Sequence, residues 1–337
     1  MNAAAPIAIT LGDPAGIGPE ITLGAWQALR HDPASCFFLL GDPEHLTRRM
    51  RALGQDVPIR QITHPHEALP GFADALPVMA LENAVRAEPG SPDPADAPAV
   101  IESIERAVAF ARSGEASCVA TNPIAKHVLY EAGFRHPGHT EFLAALCAED
   151  GANPPLSVMM LWSEGLAVVP VTVHVPLAAV PAQLTREQIV ATGRIVAHDL
   201  RTRFRIDAPR LAFAGLNPHA GENGTMGREE IDVIAPAIAQ LQGEGIDARG
   251  PYPGDTMFHA RARAGFDAAL CMYHDQALIP IKTIAFDDAV NVTLGLPFLR
   301  VSPDHGTAFD IAGKGVARPD SLIAALRLGA RLAAGKA

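Results

Sequence analysis

Short apolar runs of the length usual for β-strands recur along the chain. Each is cut off by a glycine, proline or polar cluster, and stretches with apolar positions at helical spacing lie between them. The first run, residues 7–11, enters a glycine-rich turn, Gly12-Asp13-Pro14-Ala15-Gly16-Ile17-Gly18, and Pro19 suits the first position of the helix that follows. Residues 36–40 predict a second strand that closes on Gly41-Asp42-Pro43, then a helix to about residue 53. Short strands are expected at 57–62 and 77–81. Residues 88–98, EPGSPDPADAP, have no apolar anchor and read as an exposed connection. A helix over 98–112 then puts Val100, Ile101, Ile104 and Val108 on one face, and 117–120 form the next strand.

Further on, 158–162 and 166–173 predict a hairpin around Ser163-Glu164-Gly165. A helix over 185–203 keeps Ile189, Gly193, Val196 and Leu200 on one side, and strands are expected at 211–215 and 270–273. The segment holding Pro280 reads as a short, irregular helix or loop. Strand-like segments around Asn291 and Arg300 and a helix over 321–332 complete the chain. Such alternation argues for α/β architecture.

Three strand ends each deliver a histidine: His174 after 171–173, His219 after 211–216, and His274 after 270–273. In a parallel sheet the carboxyl ends of strands line one crevice, so residues distant in sequence can converge there. Convergence would make a three-histidine metal site. The alternative is three hydrogen-bonded structural imidazoles among the 13 histidines of the chain, and no H-x3-H or C-x2-C spacing is present. Thr121-Asn122-Pro123, Lys126 and Gly138-His139-Thr140-Glu141 form a second polar group. There Thr140 either caps a helix whose N–H groups, with His139 and Lys126, hold a phosphate or carboxylate, or only caps. The glycine turn is read the same two ways, as an anion cradle or a structural turn, and it is not a G-x-G-x-x-G. Arg300 lies between apolar neighbours, which requires either an internal carboxylate or an anionic ligand.

At 337 residues the chain is long enough for two domains. Hydrophobic content of 48%, charged content of 19% and a mean hydropathy of +0.14 describe a compact soluble protein whose apolar surplus favours an oligomer. The absence of an 18-residue apolar run excludes a membrane-spanning helix. The N-terminal residues lack the basic segment of a secretory signal, so a cytoplasmic location is expected. A net charge of −10, with only Arg48-Arg49 and Arg201-Thr202-Arg203 as basic pieces, argues against nucleic acid. Cys36, Cys118, Cys147 and Cys271 sit in apolar segments and read as core residues.

Six motifs occur in an order that resembles the 4-hydroxythreonine-4-phosphate dehydrogenase family: LGDPAGIGPE, PGHTEF, VTVHVPL, GLNPHAGENGTMG, YHDQALIPIK and NVTLGLPFLRVSPDHGTAFDIAGKG. The first and last are also similar to isocitrate and isopropylmalate dehydrogenases. The resemblance implies a two-domain α/β/α fold, with 1–130 plus 300–337 as a cofactor-side domain and 131–299 as the domain for metal, substrate and dimerisation. It implies a homodimer with shared active sites and NAD as oxidant, with NADP as the alternative. His174, His219 and His274 would hold a divalent cation, with zinc favoured over cobalt, manganese or magnesium. His139, Thr140, Lys282, Asn291 and Arg300 would contact substrate, and Asp304-His305-Gly306-Thr307-Ala308 would lie against the dinucleotide. Lys282 and, less directly, Asp275 are the candidates for proton transfer. A dehydrogenase of a four-carbon phospho-sugar acid is the nearest rival reading, and a metal-dependent hydrolase is the rival from another class.

Overall fold

The computed structural model describes residues 5–136, 138–148 and 153–335. In chain order the elements begin with β1 (Ile7–Thr10), α1 (Gly18–Leu29), β2 (Phe37–Gly41), α2 (Pro43–Ala52), β3 (Ile59–Ile62) and β4 (Leu76–Ala80). Next are α3 (Ala97–Ser113), β5 (Cys118–Thr121), α4 (Lys126–Glu131), α5 (His139–Ala145), β6 (Val158–Ser163), β7 (Leu166–Pro170) and α6 (Val180–Gln183). Then follow α7 (Arg186–Thr202), β8 (Arg210–Ala214), α8 (Ala235–Gly243), β9 (Asp247–Tyr252), α9 (Ala260–Arg263) and β10 (Ala268–Cys271). The chain ends with α10 (His274–Ile284), β11 (Val290–Leu294), β12 (Arg300–Pro303) and α11 (Asp320–Ala333).

Contacts divide the chain into two compact units, one of Met1–Ser157 with Leu296–Ala334 and one centred on Val158–Gly295. The described residues of 131–157, expected with the second domain, belong to the first unit. Arg112 at the end of α3 donates to the Leu146 carbonyl at 2.9 Å, which ties this segment to the first unit.

In the first unit the strands run in the order β3-β4-β2-β1-β5-β12, and every pairing recorded among them is parallel. β1, β2 and β5 are buried along their whole length, which is why they read as continuous apolar runs without alternation. Trp26 of α1 donates its indole N–H to the Phe72 carbonyl at 2.9 Å, and Phe72 packs edge-on against Phe37. The 88–98 connection has an anchor that hydropathy alone hides. The Asp96 carboxylate is buried and accepts from the Arg86 and Ala87 N–H groups at 2.8 and 2.7 Å.

In the second unit the order is β11-β6-β7-β10-β8-β9, with β11, β6 and β7 antiparallel and β7, β10, β8 and β9 parallel. Its core gathers Leu161, Val168, Ala212, Ala269 and Ile281. Helix α7 starts on a capping box in which Thr185 accepts from the Gln188 N–H and Gln188 answers on the Thr185 N–H. Three expectations need correction here. β7 stops at Pro170, because beyond it the Thr172 hydroxyl turns to the Met272 carbonyl at 2.7 Å. The segment with Pro280 is an 11-residue helix, α10, in which the proline is accommodated. β9 was not foreseen, because DARGPY carries charges and a Gly-Pro pair on a partly exposed edge strand. No helix among the described residues is long and apolar enough to cross a membrane.

Candidate active site

The parallel order β1-β5-β12 places the carboxyl ends of these strands side by side in the first unit. These ends lead into the glycine turn, Thr121-Asn122-Pro123 and the Asp304–Ala308 loop. The turn and the loop interlock: Ile17 donates its N–H to the Thr307 carbonyl at 3.0 Å, and a Cβ on Gly16 would stand 2.8 Å from that oxygen. Arg49 of α2 is buried beneath the turn and donates to the Pro14 carbonyl, the Gly16 carbonyl and Glu20 Oε1 at 2.8, 3.1 and 2.8 Å. The same Glu20 oxygen accepts from the Gly313 N–H, so one ion pair ties the first motif of the chain to its last. The buried pair is supported by bonds beyond itself, from Arg49 to two carbonyls and from the Gly313 N–H to Glu20, while Arg49 Nε and Glu20 Oε2 meet no partner among the described residues. From sequence Arg49 was only part of a short basic piece, and its role needed the contact between α2 and the turn. Asp13, within the turn, is held up at about 6 by burial, with Asp96 adding to the effect.

The residues present fit a dinucleotide. Gly306 has open space where a side chain would stand, and the buried His305 Nε2 meets no hydrogen-bond partner. Ala308 takes a left-handed backbone, φ 46.

Arg300 opens β12 and is 4% exposed. Its Nε and Nη2 donate to the Thr121 hydroxyl at 3.2 and 2.7 Å, and burial brings the guanidinium down to about 10. His139 is the first residue of α5. Burial, then the positive fields of Arg300 and Lys126, push its imidazole well below the ordinary range and keep it neutral. The buried His139 Nε2 meets no hydrogen-bond partner. The N-cap is Gly138, with no side-chain cap bond, and not Thr140 as expected; Thr140 lies inside the first turn. A Cβ on Gly138 would collide with Glu141 Oε2 at 2.6 Å and Lys126 Nζ at 2.9 Å, so the glycine makes room for both. Pro137 of the PGHTEF motif lies outside the described residues. Two cations and a neutral imidazole suit a multiply charged anion.

In the second unit the parallel order β7-β10-β8 brings the chain beyond all three histidine-bearing strands to one edge. The rings of His174 and His274 stand 5.7 Å apart, centre to centre. Two imidazoles on one ion, at nitrogen distances of about 2.0–2.1 Å and a tetrahedral angle, would have centres about 5.3 Å apart. His274 Nδ1 lies 2.8 Å from Asp275 Oδ1. The carboxylate accepts the Nδ1 proton and leaves Nε2 as the basic nitrogen, which is how ligating histidines are commonly oriented. This donor set fits a divalent cation. His219 lines an open cavity of about 500 Å³ with Asn217, Tyr273, Asp275, Gln276 and Ile279. Among the described residues no group of three His, Cys, Asp or Glu side chains is disposed to hold one ion. Within one chain, therefore, the expected gathering of three imidazoles is seen for His174 and His274 and not for His219.

Both His174 and His219 have left-handed backbone, φ 54 and 53. His219 begins a run of five such residues, His219–Asn223, of which only Gly221 is a glycine. Left-handed helical backbone costs a non-glycine residue roughly 1–2 kcal/mol, so four of them in one turn need strong support from their surroundings. Gln276 bridges two strand ends, accepting from the Met272 N–H and donating to the Gly215 carbonyl, both at 2.7 Å. Asn291 on β11 has a buried side-chain oxygen without a hydrogen-bond partner, and Lys282 of α10 lies 5.8 Å from the Phe286 ring centre.

The chain matches the family described as pyridoxal phosphate biosynthetic protein PdxA over residues 33–329. It is 63% identical to the 4-hydroxythreonine-4-phosphate dehydrogenase of Methylorubrum populi, over 97% of this chain and 94% of the relative. It is 60% identical to the enzyme of the same name from Bradyrhizobium diazoefficiens, over 99% of both. Its fold is similar to the crystal structure of 4-hydroxythreonine-4-phosphate dehydrogenase from Klebsiella pneumoniae, with a TM-score of 0.86 and 37% identity, covering 98% of this chain and 99% of that one. The motifs, the two α/β units and this similarity along nearly the whole length lead to one conclusion: the chain belongs to the pyridoxal phosphate biosynthetic protein PdxA family.

Proposed function

We propose that the chain oxidises 4-phosphohydroxy-L-threonine at its secondary hydroxyl with NAD. The ketone formed is β to the carboxylate, and loss of carbon dioxide gives 3-amino-2-oxopropyl phosphate for pyridoxal phosphate biosynthesis. The observation that carries this reading is the group of buried Arg300, exposed Lys126 and neutral, half-buried His139, a set of donors suited to an anionic group, in a chain 63 and 60% identical to two enzymes bearing that name.

NAD, when bound, supplies the hydride acceptor, and a divalent cation held by His174, His219 and His274 lowers the pKa of the hydroxyl group it meets. The nitrogen donor set favours zinc, with cobalt, manganese or magnesium as alternatives. Three neutral imidazoles would leave the ion its full charge, and Asp275 holds His274 in the tautomer that this needs. Arg300, His139 and Thr140 bind anionic groups of the substrate. Asn291, whose buried oxygen accepts, binds a donor such as the substrate amine. With Asp275 occupied on His274, Lys282 is the residue assigned to donate a proton to the carbon that carbon dioxide leaves. The Asp304–Ala308 loop and the glycine turn receive the dinucleotide.

A homodimer with shared active sites is part of the same reading, and so is a cytoplasmic location. Large apolar side chains in the second unit support the dimer: Leu177, Ile279 and Phe286 are 67, 65 and 75% exposed. Ile279 lines the cavity beside His219, so a surface that calls for a partner adjoins the proposed chemistry.

The decisive test is NADH formation with purified enzyme, comparing 4-phosphohydroxy-L-threonine with 4-phosphoerythronate. Turnover of the first is expected. Turnover of the second alone would transfer the assignment to a phospho-sugar acid dehydrogenase.

A further inference from the structure

The loop after β8 does something a free loop does not: His219–Asn223 form a complete left-handed turn, and it is latched from below. Glu230 is 3% exposed and lies in the single π-helical turn, Glu230–Ile234, that precedes α8. Its Oε1 accepts from the Asn217 N–H at 2.7 Å and its Oε2 from Asn217 Nδ2 at 3.0 Å, while Glu229 accepts from Nδ2 at 2.7 Å. Every donor of Asn217 in these bonds points at a glutamate. The glycines of the loop are shaped around this pair: a Cβ on Gly221 would stand 2.6 Å from Glu230 Oε2, and one on Gly227 would overlap the Asn217 amide. The latch therefore lies against the left-handed turn at Gly221 and anchors the chain at Asn217, two residues before His219.

We propose that Glu230, acting through Asn217, is a positioning residue that holds the left-handed turn and so presents the His219 imidazole as a metal ligand. The inference rests on the reading of His219 as one of three ligands. Left-handed backbone is unfavourable at His219, Ala220, Glu222 and Asn223, so without the latch the turn relaxes toward right-handed conformations and the imidazole leaves its place. A π-helical turn immediately after the loop fits this role, since such turns occur frequently at functional sites. The expected consequence is a loss of metal affinity of about 10- to 100-fold, as for other groups that orient a ligand from behind.

The test is cobalt(II) titration of metal-free enzyme, followed by the visible absorption of the bound ion, with far-ultraviolet circular dichroism as a check on folding. Glu230→Gln should bind cobalt about 10- to 100-fold more weakly than the natural protein while keeping its secondary structure. Adding Ala220→Gly should recover part of that affinity, because glycine adopts φ 53 without strain; a residue needed only for global stability would show no such rescue. Should Glu230→Gln fail to fold, Asn217→Ala carries the same measurement. Cobalt binding by Glu230→Gln or Asn217→Ala at natural affinity and with the natural spectrum would overturn the proposal. A natural protein that binds no cobalt would overturn the metal reading itself, which is a separate result.

Discussion

His45 sits on the buried side of α2, beside Arg48 and Arg49, and burial together with those two charges lowers its pKa to about 4. Between that value and the ordinary 6.5 the unfolded chain takes up a proton that the folded chain refuses. Its contribution to stability is therefore complete above pH 6.5 and is lost as the pH falls toward 4. His139, also pushed down, acts in the same sense, whereas Asp13, held up at about 6, acts in the opposite one. The His45 term amounts to about 3 kcal/mol at most. In urea titrations at pH 7 and pH 5, His45→Leu should lessen the loss of stability seen on acidification. An equal loss in both proteins would mean that this histidine is not the group responsible.

At the scale of elements, the packing of the Asp304–Ala308 loop on the glycine turn makes a sharp prediction. A methyl group at Gly16 would press on the Thr307 carbonyl, which is backbone and has little freedom to move. Gly16→Ala should raise KM for NAD about tenfold, of order 1.4 kcal/mol, with a much smaller effect on KM for the phosphorylated substrate. Steady-state kinetics with each substrate varied in turn decides it. Equal changes in both constants would dissociate the loop from dinucleotide binding. The elements themselves were largely legible, since β1, β2, β5, β8 and β10 are apolar runs between turn residues, and α7 carries its capping box in the sequence. β9 was hidden because an edge strand has no buried face to impose alternation. The run of left-handed residues after β8 was equally hidden: the Glu230 latch beneath it forms only where the chain folds back on Asn217.

For the whole molecule the scale that matters is the chemical completeness of the site. The second unit exposes Leu177, Ile279 and Phe286, and its His174–His274 pair lacks a third ligand from among the described residues of the same chain. If the proposed dimer closes over this surface, Ile279→Asp should shift light scattering from dimer to monomer and abolish NADH formation, while circular dichroism stays unchanged. A monomeric variant with natural activity would show that one chain suffices.

Strand ends, apolar runs and six motifs determined by themselves the α/β class and the family, because burial and turn geometry act through local residue choice. Arg300 also announced itself, as a charge among apolar neighbours. What met it was decided only in three dimensions: the bonds of its Nε and Nη2 to the Thr121 hydroxyl cross from β12 to β5, 179 residues away in sequence. The Glu20–Arg49 pair, the neutral state of His139 and the latch beneath His219 belong to the tertiary structure for the same reason. Each depends on desolvation and on distances between segments, and neither quantity is written in the order of residues along the chain.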